Sequence, residues 1–110
     1  MVTLIEYIQT YTFEQAKKIA EECAFKNLSP FMCDKTMNIL DDNYLEAECC
    51  WFFFRNKLIK GSTAQVLRWF CAYAVSKRRK LRIIADFYDE PIKLGEYLVV
   101  MSNYFKKENL

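Results

Sequence analysis

The residues Cys49-Cys50-Trp51-Phe52-Phe53-Phe54 form one uninterrupted apolar run, with Glu46 and Glu48 before it and Arg55-Asn56-Lys57 after it. Six residues fall far short of the roughly 20 that a helix needs to span a bilayer. Burying an aromatic side chain of this size is worth roughly 1.5–3 kcal/mol, so the run is expected to lie at the centre of a core. Its length and aromatic content predict a strand covered on both faces. Strict alternation over residues 44–58 places Leu45, Ala47, Cys49, Trp51 and Phe53 on one face. Glu46, Glu48, Cys50, Phe52 and Phe54 then share the other, and Cys49 and Cys50 point apart.

Other elements follow from periodicity and punctuation. Thr3-Leu4-Ile5-Glu6 and Thr12-Phe13-Glu14-Gln15 both have the form of a capping box. The first predicts a short helical turn, with an extended course over 4–11 as the alternative. The second opens a helix over residues 13–25, whose Phe13, Ala16, Ala20, Cys23 and Ala24 share one face. Lys17, Lys18, Glu21 and Glu22 lie on or beside its outer side, and the segment 27–30, ending in Pro30, stops it. A short strand is expected near 36–40, closed by the turn-forming triplet Asp41-Asp42-Asn43. After the aromatic strand comes a loop at Lys60-Gly61-Ser62-Thr63. A strand over 66–76 then sets Leu67, Trp69, Cys71, Tyr73 and Val75 against the small Ala72 and Ala74.

Lys77-Arg78-Arg79-Lys80 is expected to be a hairpin connection into a strand over 81–85, although it lacks the Gly or Asn that tight hairpins favour. Asp89-Glu90-Pro91 starts a last helix, in which Leu94, Tyr97, Leu98, Met101, Tyr104 and Phe105 recur at helical spacing. Lys106 and Lys107 suit its C-terminal dipole. The fold class predicted is α+β: an N-terminal helix, a small antiparallel sheet of three to four strands, and a C-terminal helix packed on it.

Composition narrows this picture. A chain of 110 residues is sized for one domain, 1–110, and 53% hydrophobic with 27% charged residues excludes a disordered class. Two Gly and two Pro leave little material for a barrel or sandwich of many tight turns. The five cysteines, at positions 23, 33, 49, 50 and 71, have no Cys-x-x-Cys spacing, and there is no His. A zinc site is therefore not expected, and buried free thiols are. The first residues do not have the pattern of a secretory signal, so a cytoplasmic location is the expectation.

Candidate chemistry is sparse. Without His, acid–base work near neutral pH would need a shifted carboxylate, Lys or Cys, and no phosphate loop or nucleophile elbow occurs. No catalytic residue, metal ligand or cofactor is assigned, and an enzyme is not expected. Charge is more informative. Lys77, Arg78, Arg79, Lys80 and Arg82 are five of the 16 basic residues; without them 11 positive charges face 14 negative ones, a balance of −3. The basic block is read as a solvated hairpin tip, a docking point or a nucleic-acid contact. Asp41, Asp42, Glu46 and Glu48 precede the aromatic run, and Asp86, Asp89 and Glu90 precede the last helix. In an antiparallel sheet these seven carboxylates are expected to meet at one edge, where they would imitate a phosphate backbone or clamp a basic cleft.

The run Phe13-Glu14-Gln15-Ala16-Lys17-Lys18-Ile19-Ala20-Glu21-Glu22, the segment Trp51-Phe52-Phe53-Phe54-Arg55-Asn56-Lys57, and Ala72-Tyr73-Ala74-Val75-Ser76-Lys77 leading to the helix over 97–105 together resemble small bacterial immunity proteins. These proteins belong to contact-dependent growth inhibition and related polymorphic-toxin systems. Arg79, after Lys77, stands where a turn Gly is expected in such proteins. The resemblance implies a cytoplasmic inhibitor that binds one cognate toxin domain, frequently a nuclease, with no cofactor and no membrane. The acidic group Asp41, Asp42, Glu46, Glu48, Asp86, Asp89 and Glu90 is then the expected contact surface, because nuclease clefts are basic. Two further classes remain open. One is a nucleic-acid-binding regulator that uses 77–82. The other is a structural subunit that exposes the Trp51–Phe54 or Trp69/Phe70 surface.

Overall fold

The computed structural model describes residues 7–28, 38–56, 72–87 and 90–110. Among these residues two helices sandwich a four-stranded antiparallel meander: α1 (Phe13–Leu28), β1 (Leu40–Glu46), β2 (Cys50–Arg55), β3 (Ala72–Ser76), β4 (Leu81–Ile84) and α2 (Pro91–Lys107). The strand order is β1-β2-β3-β4, and the fold is of the α+β class expected from the sequence. The expected helical turn at 3–6, the loop at 60–63 and the first part of the 66–76 strand lie outside the described residues.

The Thr12 capping box forms as its sequence requires. The Thr12 Oγ1 accepts from the Gln15 N–H at 3.2 Å, and the Gln15 Oε1 accepts from the Thr12 N–H at 2.9 Å. Ala16, Ala20 and Ala24 are fully buried, and they let α1 lie close against Trp51, Phe53, Tyr73 and Val75. On the opposite face of the sheet, Phe52, Phe54, Ala72 and Ala74 meet Leu94 and Phe105 of α2. The alternation expected within 51–54 and 72–75 therefore holds. No aromatic surface at 51–54 is left for a partner, since these four residues are at most 3% exposed.

The single strand expected over 44–58 is instead two strands joined by a tight turn. Leu45 pairs with Phe52 and Glu46 with Trp51, and the Ala47 N–H donates to the Cys50 carbonyl at 2.8 Å. The reversal places Leu45 on the α2 side with Phe52, and not with Trp51 and Phe53. Cys49 and Cys50, expected on opposite faces, both join the α2-side cluster, because Cys49 belongs to the turn. Ala47-Glu48-Cys49 contains no turn-forming residue; long-range bonds hold it. The Cys49 N–H donates to the Ser102 Oγ of α2 at 2.9 Å, and the Cys49 carbonyl accepts from the Lys77 N–H at 2.9 Å.

Asp41-Asp42-Asn43, expected to end a strand, lies inside β1 as an irregularity in its pairing between Leu40 and Tyr44. The Asn43 N–H reaches the Asp41 Oδ1 at 3.4 Å. A bulge on an edge strand bends that edge away from pairing with other chains. The hairpin at 77–80 forms as expected, with Arg79 at φ 95°. That is the left-handed region, where a side chain is disfavoured and glycine is not. Ser76 compensates, its Oγ accepting from the N–H groups of Lys80 at 2.8 Å and Arg78 at 3.3 Å.

Candidate functional site

The sheet has two ends, and the predicted carboxylates are divided between them. Glu46 and Glu48 lie at the end formed by the β1–β2 and β3–β4 turns, and both are neutralised. Glu46 is 2.5 Å from Lys77 Nζ, whose side chain is only 10% exposed and which stands 5.0 Å from the Trp51 ring centroid. Glu48 is 2.9 Å from Lys106 Nζ, an exposed pair whose hydrogen bond raises the Lys106 pKa. Asp41 and Asp42 lie at the other end, in edge strand β1. Asp86, half-buried and engaged, and Glu90, the exposed N-cap of α2, follow β4 at that same end. They sit beside the opposite edge strand, roughly 14 Å away at three inter-strand spacings. Glu90 approaches Lys93 at 3.9 Å, a solvent-exposed contact of little energetic weight. Asp89 lies outside the described residues. The sequence expectation of one acidic edge is therefore not met: an antiparallel meander sends the start of β1 and the end of β4 to the same end but to opposite edges.

A different acidic group assembles where α1 passes the start of β1. Glu21, Glu22 and Phe25 of α1 line an open groove of about 410 Å³ with Asn38 and Ile39. Beside it, Lys17, Glu21 and Asp42 border a narrower cleft of about 80 Å³ with Asn38, Ile39 and Leu40. Glu21 belongs to both. Among the described residues none of Glu21, Glu22, Asp41 and Asp42 makes an ion pair, in contrast to Glu46 and Glu48. Phe25 is 47% exposed at the groove rim, so an apolar contact lies beside the carboxylates. Sequence reading placed Glu21 and Glu22 on the outer side of α1 without joining them to Asp42. The available signal was the alanine stripe itself, since 3.6 residues per turn set Glu21 at the margin of the buried Ala20/Ala24 face and so beside the sheet.

The basic block is partly consumed by structure. Lys77 is buried and paired with the exposed Glu46, and Arg78 hydrogen-bonds Asn109 and lies 6.0 Å from the Tyr7 ring centroid. Arg82 donates to the Tyr104 hydroxyl at 3.2 Å. Arg79 and Lys80 remain exposed, bordering a surface cleft of about 390 Å³ with Arg78, Asn109 and Leu110. Tyr7 ties the N-terminal segment to this end. Its hydroxyl lies 2.7 Å from the Leu110 carbonyl and 3.2 Å from that of Cys49, and burial raises its pKa.

The three described thiols, Cys23, Cys49 and Cys50, are poor candidates for chemistry; Cys33 and Cys71 lie outside the described residues. Burial pushes the Cys50 thiol up to about 12, and it raises Cys49 and Cys23 as well, so none is a ready nucleophile near neutral pH. Among the described residues no group of three His, Cys, Asp or Glu is placed to hold a metal ion, and no helix is long and apolar enough to cross a membrane. The arrangement is a charged surface carried by α1 and β1. No protein-family model, curated protein or solved structure matches the chain.

Proposed function

We propose that this chain is an immunity protein of a polymorphic-toxin system, which binds a cognate toxin domain, a nuclease, by protein–protein contact and blocks it. The observation that carries the reading is the acidic group Glu21, Glu22 and Asp42, which lines the α1/β1 clefts beside the exposed Phe25 and makes no ion pair among the described residues. Nucleases present basic clefts to phosphates, so a groove of carboxylates with an aromatic rim is complementary in charge and supplies an apolar anchor. Glu46 and Glu48, already neutralised within the chain, contribute less to such a contact than Asp41 and Asp42.

The test is recovery of the partner from the native host on the tagged protein, followed by inhibition of that partner's nuclease activity at a one-to-one ratio. Glu21→Lys with Asp42→Lys is expected to lower affinity by about 100-fold or more, the scale of like charges placed against a basic cleft, with the thermal midpoint unchanged. A partner without toxic activity, or one retained at full affinity by the doubly reversed chain, refutes the reading.

A second reading is favoured by Arg79, a side chain kept in a backbone conformation that suits glycine and exposed beside Lys80. A nucleic-acid-binding regulator would use these two residues with Arg78 against phosphates. It predicts binding of a short duplex or single strand that falls steeply with added salt and is lost in Arg79→Gly with Lys80→Ala. Immunity binding through the α1/β1 groove survives that double variant.

A further inference from the structure

The outward side of α2 carries Ile92 at 81%, Val99 at 57% and Val100 at 61% exposure, alternating with Glu96, Asn103 and Lys107. At 3.6 residues per turn these six residues form one stripe, opposite the Leu94/Phe105 side that the sheet covers. A second observation lies on the flank of this stripe. Gly95 occupies the helix interior, where Gly is unfavourable, yet a Cβ placed there meets nothing within 4 Å. Packing among the described residues gives no reason for a glycine at this position; close approach of another helix does.

We infer that α2 pairs with α2 of a second copy of this chain, antiparallel about a two-fold axis near Val99 and Val100. Charge selects the occupant and the direction. In a parallel pair Glu96 would face Glu96 of the second copy. In the antiparallel pair Glu96 lies beside Asn103 and one turn from Lys107 of the second copy, Val99 lies against Val100, and the two helix dipoles oppose. Gly95 lets the helices approach along the flank where a longer side chain would hold them apart. The contact is one helix long, about 25 Å for 17 residues. It falls below the roughly 800 Å² per partner of a standard interface, so the dimer is weak, with dissociation in the micromolar to millimolar range. Because α1 covers the other face of the sheet, this pairing leaves the acidic groove open in both copies and does not depend on the proposed toxin contact.

Sedimentation equilibrium of the full chain from low-micromolar to near-millimolar concentration tests the pairing. The expected result is a reversible monomer–dimer equilibrium, weakened about tenfold or more by Val99→Glu, which buries a charge in the contact. Gly95→Leu is expected to weaken it as well, with the helical circular-dichroism signal unchanged, since the monomer has room for that side chain. Glu96→Lys weakens the dimer, and Lys107→Glu in the same chain restores it in part. A chain that stays monomeric throughout overturns the proposal and leaves the face to a different protein. A dimer indifferent to both Val99→Glu and Gly95→Leu overturns it equally.

Discussion

The two faces of the sheet solve one packing problem with opposite choices. On one face the helix is small and the sheet is large: Ala16, Ala20 and Ala24 of α1 lie against Trp51, Phe53 and Tyr73. On the other, β3 is small and the helix is large: Ala72 and Ala74 leave space that Phe105 and Leu94 of α2 fill. The consequence extends to the surface. A helix with an alanine stripe sits close to its sheet, so side chains at the stripe's margin, such as Glu21, share a groove with strand residues such as Asp42. A helix standing on large side chains is held by reach. Ser102, Lys106 and Tyr104 tie α2 to Cys49, Glu48 and Arg82, and its outer side stays free. The close face therefore carries the acidic groove, and the spaced face carries the exposed apolar stripe.

The largest expected effects come from exchanging these roles. Phe105→Ala removes the fully buried ring that fills the space over Ala72 and Ala74, and is expected to cost about 3–5 kcal/mol by transfer and cavity terms. Ala20→Leu inserts volume where α1 touches the sheet, and is expected to cost about 1–3 kcal/mol by overpacking. Urea denaturation measures both. If Ala20→Leu were neutral, α1 would not be packed as closely as its alanines indicate.

The next effect separates the two ion pairs. Lys77 lies beside Trp51 on the α1 side with its ammonium largely out of water, whereas Lys106 on the α2 side is exposed. Glu46→Gln leaves the Lys77 charge without its carboxylate, and is expected to cost about 1–2 kcal/mol, the scale of a charge-assisted hydrogen bond discounted for the exposure of Glu46. Glu48→Gln should leave the denaturation midpoint in place. Equal losses in the two variants would show that burial of Lys77 does not set the difference.

How much of this the sequence announces depends on whether the determinant is local. The Thr12–Gln15 box, the alanine stripe, the split of Trp51/Phe53 from Phe52/Phe54 and the small side of β3 are all set within a few residues, and they are readable. The turn at 47–49 is not, because Ser102, Lys77 and Tyr7 make it from 28 or more residues away; Tyr7 and Ser102 alone lie 42 and 53 positions from Cys49. That one hidden turn reversed the expected faces of Leu45 and Cys49. The acidic site shows the same limit. Asp41 and Asp42 stand out as charges, but their separation from Asp86 and their meeting with Glu21 follow from strand order and from the path of α1.

The β3–β4 turn is where segments from both faces converge: the Lys77 carbonyl accepts from the Thr10 and Tyr11 N–H groups ahead of α1, and Arg78 bonds Asn109 after α2. Arg79 holds its left-handed backbone here at an intrinsic cost of roughly 1–2 kcal/mol. Arg79→Gly is expected to return about 1 kcal/mol of this, less the added chain entropy of glycine in the unfolded state. A raised midpoint in thermal or urea unfolding checks it. A lowered midpoint would mean that the Arg79 side chain itself holds the two faces' terminal segments in place.

The smallest effect isolates α2 from everything it touches. Gly95→Ala adds a Cβ that meets nothing within 4 Å, so no packing term, favourable or unfavourable, accompanies it in the monomer. What remains is helix propensity, a gain of roughly 0.5–1 kcal/mol. Urea denaturation at a concentration well below the dissociation constant of the α2 pairing, where self-association is negligible, reads this gain cleanly. The equivalent exchange at Ala20 of α1 has the opposite sign for a stated reason: Ala20→Gly loses both propensity and a contact with the sheet. A stabilised Gly95→Ala beside a destabilised Ala20→Gly would show that one helix is fixed by its backbone's closeness to the sheet, while the other keeps a glycine for a surface the monomer does not use.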